Sequence, residues 1–287
     1  MKLSIITINY NDAQGLRRTV QSVANQMPYD LDVEHIIVDG GSTDESVAVI
    51  NAYAHTIEEQ GLTIELKWVS EKDSGIYNAM NKGIRMAAGE YIQILNAGDC
   101  LAAPDVTGRM QQALERNGRP DILYGNMLKT KDWTHFVRDT SGACSDYTPQ
   151  SFLYFYNGTL NHDCAYIRRA LFDKFGYYNE TMQICADWEW YVRTIVLGRT
   201  PAVYVNVDVT QFDMNGISES NDTGRAIIRQ ERRAYLEQIL PPAILADYDK
   251  YAIPILQYQR LKKYHLWGIV HFVERVLFKL EKWRILK

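Results

Sequence analysis

The chain has 287 residues, enough to bury a sizeable core in one large domain or in one domain with an appendage. Its composition, 46% hydrophobic and 23% charged with a net charge of −4, is that of an ordinary globular protein. That balance excludes a disordered chain, and it excludes a general nucleic-acid binder, which would be basic.

The N-terminal "MKLSIITINYN" holds one Lys and a short apolar run, without the longer apolar stretch and cleavage site of a signal peptide, so it reads as a buried first strand. "DAQGLRRTVQSVANQ" sets Leu16, Val20 and Val23 at helical spacing. "VEHIIVDG" is a second strand closed by turn residues, and "STDESVAVINAYAHTIEEQ" is a helix with Ser42 or Thr43 as its N-cap. A third strand, "TIELKWVSE", a helix ended by Gly89, "GIYNAMNKGIRMAAG", and a fourth strand, "EYIQILNAGD", follow. Strands alternating with helices imply βαβ units and a parallel sheet wound right-handed. Ligands bind beyond the carboxyl ends of such strands, so Asn9, Tyr10, Asn11, Asp39 and Asp99 are expected on one rim, with Asp99 at an exposed strand end.

From about 105 to 215 the pattern is less regular, with short strand candidates ("DILYGNML", "AYIRR", "PAVYVNV") and one clear helix, "ADWEWYVRTIVLG". A charged helix, "GRAIIRQERRAYLEQIL", begins at 224, and beyond Pro241 and Pro242 the chain reads as helix to its end. The expected organisation is one α/β domain over 1–223, split into halves at 1–104 and 105–223, followed by a helical tail over 224–287. Cys100, Cys144, Cys164 and Cys185 show no paired spacing, which fits reduced thiols in a cytosolic protein better than a disulfide framework or a zinc site. No window reaches the roughly 18 apolar residues that span a bilayer. Residues 260–287 carry eight Lys or Arg against Glu274 and Glu281, with Leu266, Val270, Val273, Leu277 and Leu280 at helical spacing beside Trp267 and Trp283. Such a helix suits an anionic membrane surface, and it also suits packing on its own domain or on a second copy.

Four blocks, "SIITINYND", "IIVDGGSTDES", "SEKDSGIYNAMNKGIRMAAGEYIQILNAGD" and "FGYYNETMQICADWEWYVR", occur in an order and at a spacing that resemble a family 2 glycosyltransferase of the GT-A fold. The resemblance covers roughly residues 2–220 and is to the bacterial exopolysaccharide and colanic-acid type. It implies a Rossmann-like, mostly parallel central sheet flanked by helices, with a C-terminal helical extension. It also implies transfer of a sugar from a nucleotide-diphosphate donor, UDP-linked, to a hydroxyl of a glycan or lipid-linked acceptor. In that reading Asp39 hydrogen-bonds the imide of a uracil-type base and Tyr10 stacks on it. Asn9, Asn11, Asp73, Gly75, Asn81, Lys82, Asn96 and Asp99 complete the donor site, and a helix starting near Gly75 presents backbone N–H groups. The leaving diphosphate gains negative charge, which a divalent cation, Mn²⁺ or Mg²⁺, offsets. Hard cations take oxygen ligands, and Asp99 is the implied one. Asn96 and Gly98 stand where the family commonly carries acids, leaving Asp99 alone.

The acceptor hydroxyl needs a general base. The resemblance gives that role to Asp187, with Ala186 in the place of the family's Glu and Glu189 ranked second. His162 and Arg193 are the acceptor-site candidates. One base without an enzyme nucleophile implies a single in-line displacement with inversion. The chain lacks the Gln-x-x-Arg-Trp motif and membrane spans of processive relatives, which implies one sugar per encounter. A nucleotidyltransferase is the rival enzyme class, although "TINYNDAQG" lacks a Gly- and Lys/Arg-rich phosphate loop. A non-catalytic nucleotide-sugar-binding scaffold is the rival outside enzymes. The expected location is cytoplasmic, peripheral on the inner face of the membrane, with no nucleic-acid partner, and an oligomer is compatible with the chain.

Overall fold

A computed structural model describes residues 1–27, 32–139, 151–214, 222–263 and 266–282. The first half is built of β1 (Lys2–Asn9), β2 (Asp32–Asp39), β3 (Ile64–Ser70) and β4 (Tyr91–Ile94), joined by α1 (Ala13–Ala24), α2 (Ser46–Gln60) and α3 (Ile76–Met86). These four strands pair in parallel in the order β3-β2-β1-β4. Their centres are apolar on both faces: Leu3, Ile5, Ile6, Ile36, Ile37, Val38, Ile92 and Ile94 are all fully buried. Continuous burial of this kind is the mark of parallel strands covered on both sides.

The second half changes the strand direction. It comprises β5 (Cys100–Leu101), α4 (Val106–Arg116), β6 (Ile122–Thr130), β7 (Phe136–Asp139), α5 (Phe152–Asn157), β8 (Ala165–Arg168), α6 (Ala170–Phe175), α7 (Ala186–Tyr191) and β9 (Ala202–Asp213). β8 inserts between β4 and β6 and is antiparallel to both, β9 runs parallel to β6, and β5 and β7 add antiparallel edges. The sheet is therefore mixed: the four strands of the first half pair only in parallel with one another, whereas the second half combines antiparallel pairs with the parallel β6–β9 pair.

Polar side chains inside the parallel half fix its register. Glu34, fully buried in β2, accepts hydrogen bonds from Ser4, from the Gly89 N–H at 2.8 Å and from Lys67 Nζ at 2.7 Å. Gly89 is required there, because a Cβ would stand 2.6 Å from the Ser4 backbone nitrogen. The start of α2 differs from the sequence expectation. Its N-cap is Glu45, not Ser42 or Thr43, and Asp44 accepts from the Ser46 N–H at 3.0 Å. Ser42 is thereby free to serve the strand ends.

The chain divides into two units, Met1–Tyr235 and Leu236–Lys287, with the division inside α8 (Asp222–Ile239) and after the boundary expected at 223. The second unit contains α9 (Pro242–Lys263) and α10 (Trp267–Lys282). Cys100, Cys164 and Cys185 are free and buried, while Cys144 and Trp283 lie outside the described residues.

Candidate functional site

The rim forms where β1, β2 and β3 end side by side. Asp39, the last residue of β2, is fully buried, and its two oxygens are held by donors from all three strand ends. Asn9 Nδ2 (2.7 Å) and the Ser42 hydroxyl (2.5 Å) donate to Oδ1; the Ser42 N–H (2.9 Å) and Ser70 Oγ (2.6 Å) donate to Oδ2. Burial acts to raise the Asp39 pKa, but these bonds outweigh it and hold the carboxyl below its usual value. Asn11 adopts φ 50° and closes the same corner, donating its N–H to Ser42 Oγ at 2.8 Å and accepting the Thr43 N–H at 2.8 Å.

Beside this corner an aromatic face and a second carboxylate stand open. Tyr10 is 67% exposed. A Cβ on Gly40 would lie 2.6 Å from Asp73 Oδ2 and 3.2 Å from Tyr10 Cδ2, so the bare glycine is what lets Tyr10 and Asp73 flank one spot. Asp73 Oδ1 accepts the N–H of Gly75 at 3.0 Å, fixing the entry to α3.

The next two expected donor-site residues, Asn81 and Lys82, both have partners within the protein. Asn81 is 1% exposed, and its amide pairs with Tyr178 O (2.9 Å), Tyr178 N (3.0 Å) and Glu180 Oε1 (2.8 Å), which ties α3 to the segment before α7. Lys82 Nζ lies 2.8 Å from Glu71 Oε1 and so braces the loop after β3. Asn81 is thus engaged inside the fold, whereas Lys82 stays beside the loop that leads to Asp73. Asp99 is corrected: it is 4% exposed, not an open strand end, because β9 closes over it and the Asp213 N–H donates to Oδ1 at 3.2 Å. Burial, reinforced by the neighbouring charge of Asp163, pushes its carboxyl well above the usual range.

A second constellation gathers around α7. His162, in a single 3₁₀ turn before β8, has Nδ1 3.2 Å from Asp187 Oδ2 and Nε2 2.8 Å from Asp163 Oδ1. Asn96 Nδ2 lies 3.2 Å from the same Nε2, linking the end of β4 to this group. Burial disfavours a charged ring, yet Asp163 and Asp187 outweigh it and raise the His162 pKa well above its ordinary value. Asp187 is depressed in turn: burial works against its charge, and the His162 contact overcomes it. Tyr77 Oη donates to Asp187 Oδ1 at 3.2 Å. A cavity of about 210 Å³ opens on this group, lined among others by Lys129, His162, Asp163, Asp187, Trp188 and Arg232.

Arg193 and Glu189 are not brought there. Arg193 Nε donates to Glu189 Oε1 at 2.9 Å, and its NH2 group reaches Tyr177 O at 2.9 Å. The expected acceptor arginine and the second-ranked base therefore neutralise each other inside the fold. Sequence reasoning missed Ser42 and Ser70 under Asp39, Tyr77 and Asp163 around the His162–Asp187 pair, and Arg232 in the cavity. Only Asp163 carried a local signal, as the neighbour of His162.

No three His, Cys, Asp or Glu among the described residues gather to hold a metal ion. Of the expected ligands only Asp99 is present, a hard oxygen donor buried beside the Asp163 carboxylate, so a cation held there would need its further ligands from a bound diphosphate.

A family profile described as glycosyl transferase family 2 matches residues 4–176. An uncharacterized glycosyltransferase of Mycobacterium tuberculosis is 32% identical over 222 residues, 77% of this chain and 78% of that protein. A PGL/p-HBAD biosynthesis glycosyltransferase of Mycobacterium bovis is 28% identical over 221 residues, 76% of this chain and 79% of that protein. Among solved structures, S. aureus TarS in complex with UDP-GlcNAc aligns with TM-score 0.62 at 17% identity, covering 91% of this chain and 73% of that one. The mannosyltransferase PcManGT from Pyrobaculum calidifontis, in complex with GDP-Man and Mn²⁺, aligns with TM-score 0.59 at 17% identity, covering 98% and 82%.

Proposed function

The chain belongs to glycosyl transferase family 2, and from that premise we propose that it is an inverting, non-processive enzyme using a nucleotide-diphosphate sugar. Family membership takes the place of the nucleotidyltransferase and scaffold readings. The donor base lies between the open ring of Tyr10 and the Asp39 corner, with Asp73 at its edge. UDP is the favoured nucleotide, because the resemblance pairs this corner with a uracil-type base, and the Asp73 Oδ2 beside Tyr10 is an acceptor that suits an imide N–H. The acceptor is a hydroxyl of a glycan or a lipid-linked acceptor, the class the family resemblance implies.

One observation carries the catalytic part: Asp187 borders a cavity of about 210 Å³ with one oxygen on His162 and the other on Tyr77. The family match ends at residue 176, so the role of Asp187 rests on this geometry. The acceptor hydroxyl gives its proton to Asp187 as its oxygen bonds to the anomeric carbon. The bond to the diphosphate breaks, and the electron pair leaves with that group. A divalent cation held by Asp99 would supply positive charge for the leaving diphosphate.

The exposed apolar side chains of α10 (Ile269, Phe272, Val273, Val276 and Leu277), together with the basic Arg275 and Lys279 of the same helix, support docking to an anionic membrane that holds a lipid-linked acceptor. No described helix is long and apolar enough to cross a bilayer. The favoured location is the cytoplasmic face.

The test begins with a thermal-shift screen of nucleotide sugars, since a ligand that binds only the folded state raises the melting temperature. Donor hydrolysis with added Mn²⁺ is then measured for Asp187→Asn. Loss of a general base costs roughly 10²–10⁴-fold, so turnover should fall by that order while donor binding stays unchanged. A fully active mutant would remove Asp187 from the mechanism.

A further inference from the structure

α7 begins with an unusual arrangement. Its N-cap residue, Cys185, makes no side-chain capping bond. The backbone N–H groups that lead into a helix lack intrahelical partners and need acceptors from elsewhere. Here they find one on α8: Glu231 accepts from three consecutive backbone N–H groups, that of Gln183, that of Ile184 at 3.1 Å and that of Cys185 at 2.9 Å. Bonds of this kind to a carboxylate are roughly twice as strong as neutral ones.

The same short segment is gripped from its other side. The Ile184 carbonyl accepts the Tyr77 hydroxyl of α3, and that hydroxyl also reaches Asp187 Oδ1 at 3.2 Å. Asp187 follows Cys185 by two residues, so its position depends on where this segment is held. The adjacent Arg232 guanidinium lies 5.0 Å from the centre of the Trp188 ring, which docks α8 beside α7 at the next residue along.

We propose that Glu231 is a positioning residue: by gathering three N–H groups ahead of α7, its carboxylate sets the reach of Asp187 into the cavity. This rests on Asp187 being the general base. Glu231 lies on α8, beyond the region 4–176 matched by the family profile. A displacement of about 1 Å at a reacting group costs on the order of 10²-fold in rate.

The experiment uses the full-length enzyme, Mn²⁺ and whichever of UDP-GlcNAc, UDP-glucose and GDP-mannose stabilises it, with release of the nucleoside diphosphate by hydrolysis as the readout. Glu231→Gln keeps the size but offers a single acceptor oxygen and an NH₂ group that opposes the N–H groups. Glu231→Ala removes the clamp, and Arg229→Ala, on the exposed side of α8, is the control. The expected result is a turnover number per folded molecule lower by roughly tenfold to a hundredfold in Glu231→Gln, with KM for the donor near wild type, the melting temperature lowered by a few degrees at most and the control unchanged. A purely structural role would lower the melting temperature and leave turnover per folded molecule intact. Wild-type turnover in both Glu231 variants, or a parallel loss of donor binding, overturns the proposal. Asp187→Asn is measured alongside: full activity there overturns the base assignment and the proposal with it, whereas an inactive Asp187→Asn beside fully active Glu231 variants overturns only the clamp.

Discussion

Asp39 shows how one side chain can join recognition to folding. An aspartate before Gly40 and Gly41 reads as a nucleotide ligand or a turn residue, yet its carboxylate joins the ends of β1, β2 and β3 through Asn9, Ser42 and Ser70. Asp39→Ala leaves those donors unpaired where water has little access. The expected cost is about 2–4 kcal/mol of stability in addition to weaker donor binding. Urea denaturation and a donor titration of the same variant separate the two effects. Unchanged stability with weakened binding would show that the hub is a ligand site and nothing more.

At the level of the element, β2 places two titratable side chains in the centre of the parallel sheet. His35 is fully buried between Thr7 Oγ1 at 2.9 Å and the Tyr53 hydroxyl at 3.0 Å. Burial lowers its pKa from 6.5 to about 3, so the folded protein holds it neutral. Between those values the unfolded chain binds a proton that the folded chain refuses. Stability therefore falls as the pH drops through 6.5 towards about 3, with a slope of up to about 1.4 kcal/mol per pH unit from this residue. His35→Gln should flatten that slope in denaturation midpoints measured across the window. An identical slope in the mutant would place the acid sensitivity elsewhere, with Glu34 as the next group: its carboxyl is depressed to about 2 by Lys67, Ser4 and the Ala88 and Gly89 N–H groups, against the effect of burial.

On the scale of the whole molecule, α10, the last helix of the described residues, carries large exposed apolar side chains. Ile269 is 63% exposed and Phe272 67%. If these side chains dock on a membrane, the full-length protein co-sediments with anionic vesicles, and Ile269→Glu combined with Phe272→Glu abolishes the association without altering donor binding. Salt should also release the wild type, because exposed charges are screened over about 10 Å at 0.1 M ionic strength. Vesicle-free supernatants at low salt would assign these side chains to a protein surface instead.

The sequence by itself determined the parallel half and the residues that sit on its rim. Strand and helix periodicity, N-caps and glycine turns are local signals, and "TINYN" and "VDGG" mark their strand ends without reference to anything distant. Four family-like blocks extended that reading to the activity class. Tertiary structure alone decided the rest. β8 enters the sheet antiparallel between β4 and β6, and its pairing of Arg168 with Tyr91 joins residues far apart in the chain and leaves no periodic trace. Asp99 looks like an open strand end until β9 covers it from 114 residues away. The resemblance made Arg193 and Glu189 active-site candidates through their places beside Asp187, and only folding turned them towards each other. Glu231 lies in a stretch that reads as a solvated charged helix, and its partners are backbone N–H groups 46 to 48 residues earlier. Backbone donors have no signature in a sequence, so a side chain that binds them becomes visible only when the chain has brought the two together.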